Sequence, residues 1–177
     1  MYTLHHAVTD ALTPQLRREI RALLDAAFDG DFSDDDWGHA LGGLHVWVSG
    51  PDGVIGHGSV VERTLVCSGR VLRVGYVEAV ATAAAHRRQG HGAAVMRRLG
   101  EHIQAQWPLG ALSTGTPAFY ETVGWVRWRG PTFVDGPAGR VRTADDDSSI
   151  MILRSPGSPR LDLDADIVCD WRPGEVW

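Results

Sequence analysis

Residues 87–92, Arg87-Arg88-Gln89-Gly90-His91-Gly92, place two guanidinium groups and two glycines where the chain turns into what reads as a helix. Backbone amides at a helix start point outward and carry the positive end of the helix dipole. Glycine lets that backbone approach an anion without a Cβ in the way, so a diphosphate is the natural guest. The same six residues would also serve as a plain basic turn. Just upstream, Glu78 offers a carboxylate that could take a proton, or could simply sit in a surface salt bridge. Tyr120 offers a phenol that could give one, or could be a core tyrosine packed with Phe119. Aspartates crowd at 34–36 and 145–147, where they could hold a cation or only cap a helix or solvate a loop. Two familiar phosphate motifs fit poorly. There is no Gly-Lys-Ser/Thr, and "GHGAAV" lacks both the third small position of a dinucleotide fingerprint and, on this reading, a leading parallel strand with its crossover.

These groups need elements to position them. Residues 2–8 alternate as a strand, and "TPQLRREIRALLDAAF" sets threonine ahead of proline and spaces Leu16, Ile20, Leu23, Leu24, Ala27 and Phe28 along one helical face. A short helix over 34–41 follows Ser33. "LHVWVSGPDGVIGHGSVVERTLV" reads as two strands about a turn at 51–53. A second turn at Ser68–Gly69 leads into "RVLRVGYVEAVAT", giving three antiparallel strands in succession. Glu78 and Val80 therefore lie on the strand that feeds the glycine loop. Beyond the loop, Val95, Met96, Leu99, Ile103 and Trp107 share a face opposite Arg97, Arg98, Glu101 and Gln104, which predicts an amphipathic helix over 91–106. "LGALST" reads as a short buried strand. "PAFYETVGW" reads as a short helix ending at Gly124, and residues 125–134 and 149–154 as further strands. The expectation is an α/β fold of the α+β kind, with a mixed, mostly antiparallel twisted sheet flanked by helices, in one domain over residues 1–177.

The chain has 177 residues, 44% apolar and 22% charged, a soluble globular composition. A chain of this length buries about 70% of its unfolded surface. No apolar run approaches the roughly 20 residues of a membrane span, and "MYTLHHAVTD" lacks a signal peptide's basic-then-apolar layout, so a cytoplasmic protein with no membrane partner is expected. Cys67 and Cys169 have no short-spaced pairing and read as buried thiols. The eight histidines, His5, His6 and His57 among them, lack ligand spacing, so no metal is expected. All 17 basic residues are arginine, with no lysine and no asparagine, which reads as a GC-rich genome. A net charge of −5 disfavours a nucleic-acid partner and favours a cationic one.

The glycine loop resembles the Arg/Gln-x-x-Gly-x-Gly/Ala signature of the GNAT acetyltransferases, and "AFYETVGW" resembles their second motif. The order of elements is theirs too. The resemblance implies the GNAT fold and acetyl-CoA as co-substrate, its pyrophosphate held by Arg87, Arg88, Gln89, Gly90, His91 and Gly92 and its pantetheine arm by the backbone of Val80 and Thr82. Within the superfamily, "FDGDFSDDDWGHALGG", "GYVEAVA", "TADDD" and the terminal "CDWRPGEVW" look like the type I aminoglycoside 2′-N-acetyltransferases over nearly the whole chain. "STGTPAFY" is shorter and 154–161 longer than in that pattern, and position 175 is glutamate where the pattern has aspartate.

That likeness implies acetyl transfer to the 2′-amino group of an aminoglycoside, conferring resistance, by direct attack in a ternary complex. Acyl transfer to an amine needs a free lone pair, a polarised carbonyl and a proton for the thiolate. Glu78 is then the base, the Val80 N–H the polarising donor and Tyr120 the acid. The polycationic substrate falls to Asp31, Asp36, Glu78, Ser113, Asp146, Glu175 and Trp177. Trp177 joins both the reacting and the binding groups through its terminal carboxylate, since a large apolar residue ending a frayed tail would be out of place. The likeness also implies a homodimer. Transfer to another cationic amine, such as a cell-wall amino sugar, stays open, as does a protein that binds drug or CoA without turnover.

Overall fold

Helix α1 (Pro14–Ala27) starts where Thr13, in extended backbone, accepts the Leu16 N–H on its hydroxyl at 3.2 Å. Pro14 has no N–H to leave unsatisfied there. Its apolar face buries Ile20, Leu23 and Leu24 against Leu12, Phe32 and Ala81. Each such side chain contributes about 2 kcal/mol by leaving water. Helix α2 (Asp34–Ala40) opens with a reciprocal cap: the Ser33 hydroxyl accepts the Asp36 N–H, and the Asp36 carboxylate accepts the Ser33 N–H. Arg21 ties α1 to the start of α2, bonding Asp25, Asp34 and the Phe32 carbonyl.

In this computed structural model, residues 1–51 and 53–177 are described. Asp52, in the expected 51–53 turn, lies outside them. They form two compact units, residues 1–61 with 77–101 and residues 62–76 with 102–177. The first unit holds α1, α2, and strands β1 (Thr3–Val8) and β2 (Leu44–Gly50), antiparallel to each other from Thr3↔Ser49 to Val8↔Leu44. Strand β2 also pairs antiparallel with the first part of β3 (Gly53–Cys67), Leu44 opposite Val60 and Trp47 opposite His57. The end of β4 (Arg70–Thr82) and most of α3 (His91–Gln106) complete it. At Gly58 an added Cβ would stand 2.9 Å from Leu99 and 3.1 Å from Val95, so glycine there lets the helix lie close on the sheet.

In the second unit, β3 turns into β4 through Ser68 (φ 51°) and Gly69 (φ 75°). This is the mirror-image turn that matches strand twist. The start of β4 pairs in parallel with β5 (Leu109–Ser113) at Gly75↔Gly110 and Tyr76↔Ala111, so α3 lies in the chain between two parallel strands. The reading that the glycine loop has no leading parallel strand with its crossover is thereby corrected, while the expected antiparallel pairing of β2 with β3 stands. Parallel partners need a long connection, which α3 supplies. After α4 (Pro117–Glu121), the expected 125–134 strand divides. Strand β6 (Val126–Arg127) pairs with β9 (Ile150–Arg154), whereas β7 (Thr132–Gly136) pairs with β8 (Gly139–Arg142) and β10 (Ile167–Asp170). Trp128 causes the break: it is fully buried, its indole N–H bonds the Ala165 carbonyl at 2.8 Å, and the chain at 129–130 bonds the Leu163 carbonyl. An added Cβ on Gly130 would stand 1.9 Å from the Ala165 oxygen, so only glycine fits that crossing. No described helix is long and apolar enough to cross a membrane.

Candidate functional site

In the first unit, β4 delivers Glu78, Ala79 and Val80 and then runs through Thr82 to the glycine loop. The strand is irregular there. Ala79 has φ 52°, a left-handed conformation that costs a non-glycine residue about 1–3 kcal/mol. It breaks the in–out alternation of the strand between Glu78 and Val80. In the loop, Arg88 (φ 61°) and Gly90 (φ 87°) are both left-handed, and space is open where a Gly90 Cβ would stand. The Gly90 carbonyl accepts the Ala94 N–H at 3.0 Å, which makes Gly90 the residue from which α3 departs. The amides of His91, Gly92 and Ala93 are the ones a helix leaves without an internal partner. Arg87 bonds the Thr82 carbonyl at 3.2 Å and Gln89 the Ala85 carbonyl at 3.0 Å, so these side chains brace the loop. Of the Thr82 backbone, expected to pair with the pantetheine arm, the carbonyl is thus engaged by Arg87. Gly90 and the α3 amides fit a diphosphate by shape and charge.

Asp31 is exposed at the α1–α2 connection. Asp36, expected to bind substrate, spends one carboxylate oxygen on the Ser33 cap, with the Ser33 hydroxyl also donating to it at 2.7 Å.

In the second unit, Ser113 ends β5 and donates to the Ser149 hydroxyl at 3.1 Å, and Ser149 donates to the Asp146 carbonyl at 2.6 Å. The neighbouring aspartates differ. Asp147 is tied to Arg142 and Thr132, and the guanidinium holds its carboxyl below the usual range. Asp146 is pushed above the usual range, first by burial and then by the nearby charges of Glu175 and Asp145. Among the described residues neither Asp146 nor Glu175 is in an ion pair. The terminal segment is docked. The Trp177 indole is buried and donates to the Thr143 hydroxyl at 2.9 Å, while Arg172 donates to the Glu175 carbonyl at 2.8 Å and to an oxygen of the Trp177 terminal carboxylate at 3.2 Å. Arg63, 5% exposed, anchors the start of that segment through both the carboxylate and the carbonyl of Asp170. Tyr120, on α4, is buried edge-on to Phe119 and Trp125, and burial pushes its phenol up to about 12 against the opposing hydrogen bond of Thr114.

Residues 9–127 match the family model for the acetyltransferase (GNAT) domain. Over 181 aligned residues the chain is 41% identical to an aminoglycoside 2′-N-acetyltransferase of Mycolicibacterium fortuitum, covering 100% of this chain and 93% of that one.

This chain is a member of the GNAT acetyltransferase family.

Two solved GNAT structures show the same fold at low identity. One is YhbS of Escherichia coli in complex with CoA, at 16% identity and TM-score 0.66 over 95% of this chain and 89% of that one. The other is an acetyltransferase of Brucella melitensis in complex with acetyl-CoA, at 17% identity and TM-score 0.58 over 90% and 94%.

The GNAT fold therefore divides the residues singled out by sequence into two sets. Glu78, Val80, Thr82, Arg87, Arg88, Gln89, Gly90, His91, Gly92, Asp31 and Asp36 lie in the first unit, and Ser113, Tyr120, Asp146, Glu175 and Trp177 in the second. Sequence reasoning missed Thr143, whose hydroxyl receives the Trp177 indole, and the pair His45 and His57. Both histidines are fully buried on inward strand positions of β2 and β3 and hydrogen-bonded to each other at 3.0 Å. Their one sequence signal was polar residues set among the apolar positions of β2 and β3.

Proposed function

We propose that this GNAT enzyme transfers the acetyl group of acetyl-CoA to the 2′-amino group of an aminoglycoside, and so confers resistance. The observation that carries the reading is the full-length 41% identity to a protein of that name. The chain's own chemistry supports it. The nearby charge of Glu175 adds to the burial that disfavours the Asp146 carboxylate, and among the described residues neither is in an ion pair, which suits a ligand rich in ammonium groups.

Acetyl-CoA supplies an activated acyl group. The open Gly90 backbone, the α3 amides and Arg88 receive its diphosphate, and the β4 edge from Val77 to Thr82 offers main-chain groups to its arm. The Val80 N–H polarises the thioester carbonyl, and Glu78 takes the proton of the substrate ammonium, directly or through water. Asp31, Asp36, Ser113, Asp146, Glu175 and Trp177 take the drug's amines and hydroxyls. Tyr120 has a narrower role than full proton transfer. Its phenol, at about 12, lies well above a thiol of ordinary pKa, about 8.5, so complete transfer is uphill. It stays protonated across the working range and stabilises the departing thiolate by donating a hydrogen bond. Attack is direct, with no covalent enzyme intermediate: the C–N bond forms as the C–S bond breaks, and the proton the nitrogen sheds on becoming an amide balances the one the thiolate takes up, through water.

The same reading makes the protein a cytoplasmic homodimer without nucleic-acid partners. The two buried free thiols and the net charge of −5 are in keeping with it, and light scattering tests the dimer. The test of the reaction is the product. NMR of a 2′-amino aminoglycoside after incubation with acetyl-CoA should show an acetamide at the 2′ nitrogen; acetylation at a different nitrogen would refute the assignment.

A further inference from the structure

A chain of buried hydrogen bonds ends at the irregular point of β4. The His57 Nδ1 lies 2.9 Å from the Ala79 carbonyl oxygen, its Nε2 lies 3.0 Å from the His45 Nδ1, and the His45 Nε2 lies 2.9 Å from the Thr9 hydroxyl, which receives the Gly42 N–H at 2.8 Å. Both rings and Ser59 are fully buried. One acceptor sets the direction of the whole chain. A carbonyl can only accept, so the His57 Nδ1 carries the hydrogen; with both rings neutral, the His57 Nε2 receives the His45 Nδ1–H, and the His45 Nε2 faces the Thr9 hydroxyl, which also reaches the Gly43 carbonyl at 3.2 Å. Burial holds both imidazoles well below their ordinary value, so both are neutral at neutral pH.

A structural core needs no such chain, yet this one is aimed at a backbone group. The Ala79 carbonyl and the Val80 N–H belong to one trans peptide plane and point in opposite directions. Drawing the carbonyl toward His57 therefore fixes the direction of the Val80 N–H. On the other side of Ala79, the Ser59 hydroxyl reaches the Glu78 carbonyl at 3.4 Å, so the peptide planes on both sides of the left-handed residue are held from the same face.

We propose that His57, oriented by His45 and Thr9, is a positioning residue for acetyl transfer: it holds the 79–80 peptide turned so that the Val80 N–H is presented to the thioester carbonyl. The inference rests on the reading of β4 as the acyl-bearing strand. Losing a donor aimed at a developing oxyanion costs about 100- to 1,000-fold in kcat, and misaiming one costs part of that.

Two variants of similar polarity separate this role from packing. The side-chain amide of Asn places an N–H where the His57 Nδ1 stands, and that of Gln places it where Nε2 stands. With both enzymes showing cooperative melting, His57→Gln should lose at least 10-fold in kcat at unchanged KM for acetyl-CoA, and His57→Asn should recover most of that loss. Equal kcat in the two variants would overturn the proposal. Glu78→Gln, run alongside, separates the two failures: its loss of turnover with equal His57 variants overturns only the positioning role, and its full activity removes the reading beneath it. Should His57→Gln not fold, ¹⁵N-resolved NMR of the unaltered protein at neutral pH decides instead. Neutral His45 and His57, each protonated on Nδ1, is the expected result, and an Nε2-protonated or charged His57 overturns the proposal.

Discussion

Lowering the pH from 7 to 5 should destabilise the fold steeply, and the buried histidine pair sets the size of the effect. Burial drives His45 down to about 4 and His57 to about 3, with Arg17 and the neighbouring ring adding to the shift. In the unfolded chain both titrate near 6.5. A depressed imidazole leaves stability untouched at high pH, and stability is lost as pH falls below the unfolded value, because the unfolded chain binds protons that the native state refuses. Between about 6.5 and 4 the difference is two protons, giving a slope of about 2.7 kcal/mol per pH unit. By pH 5 the loss is about 4 kcal/mol, a large share of the roughly 5–15 kcal/mol that a domain holds. The carboxylates held low by arginine, Asp135, Asp147 and Asp164, begin to contribute only below their own unfolded range, at more acidic pH. Urea titrations at pH 7.5, 6.5, 5.5 and 5.0, followed by tryptophan fluorescence, measure the slope. A stability flat between pH 7 and 5 would refute the burial argument.

Three substitutions extend the account. Tyr120→Phe should lower kcat by about 10- to 100-fold with little change in CoA affinity, read by steady-state kinetics and calorimetry, because the phenol acts on the leaving thiolate and not on the bound cofactor. Gly90→Ala should weaken CoA binding and cost about 1 kcal/mol of stability; space is open for its methyl, so the cost lies in forcing φ 87° on a residue with a Cβ. Asp146→Asn should raise KM for the aminoglycoside about 10-fold while leaving the melting temperature unchanged or higher, since it removes a carboxylate already disfavoured by burial and then by the charges of Glu175 and Asp145.

Local signals made much of the fold legible. Thr13 with Pro14, Ser33 with Asp36, and Ser68–Gly69 each specify a boundary through bonds made within a few residues, and the structure places helix starts and a turn there. What escaped depends on distant partners. The division of 125–134 follows from Trp128 reaching the Ala165 carbonyl, and the pairing of β10 with both β3 and β7 has no local signature. The site shows the same split. The glycine loop announced itself through φ requirements and charge, whereas the roles of Asp146 and Asp147 look identical in sequence and separate only once Arg142 is seen to claim one of them. His45 and His57 lack metal spacing, so their sequence positions carry no signal of a role. Their significance comes from hydrogen bonds between strands, which join His45 to His57 and His57 to the carbonyl of left-handed Ala79.

The central claim is acetyl transfer at the 2′ position, and thiol release from acetyl-CoA with two matched drugs tests it most directly. Tobramycin carries a 2′-amino group and kanamycin A a 2′-hydroxyl. Release with tobramycin alone is expected, and release with both drugs or with neither would contradict transfer at the 2′ position.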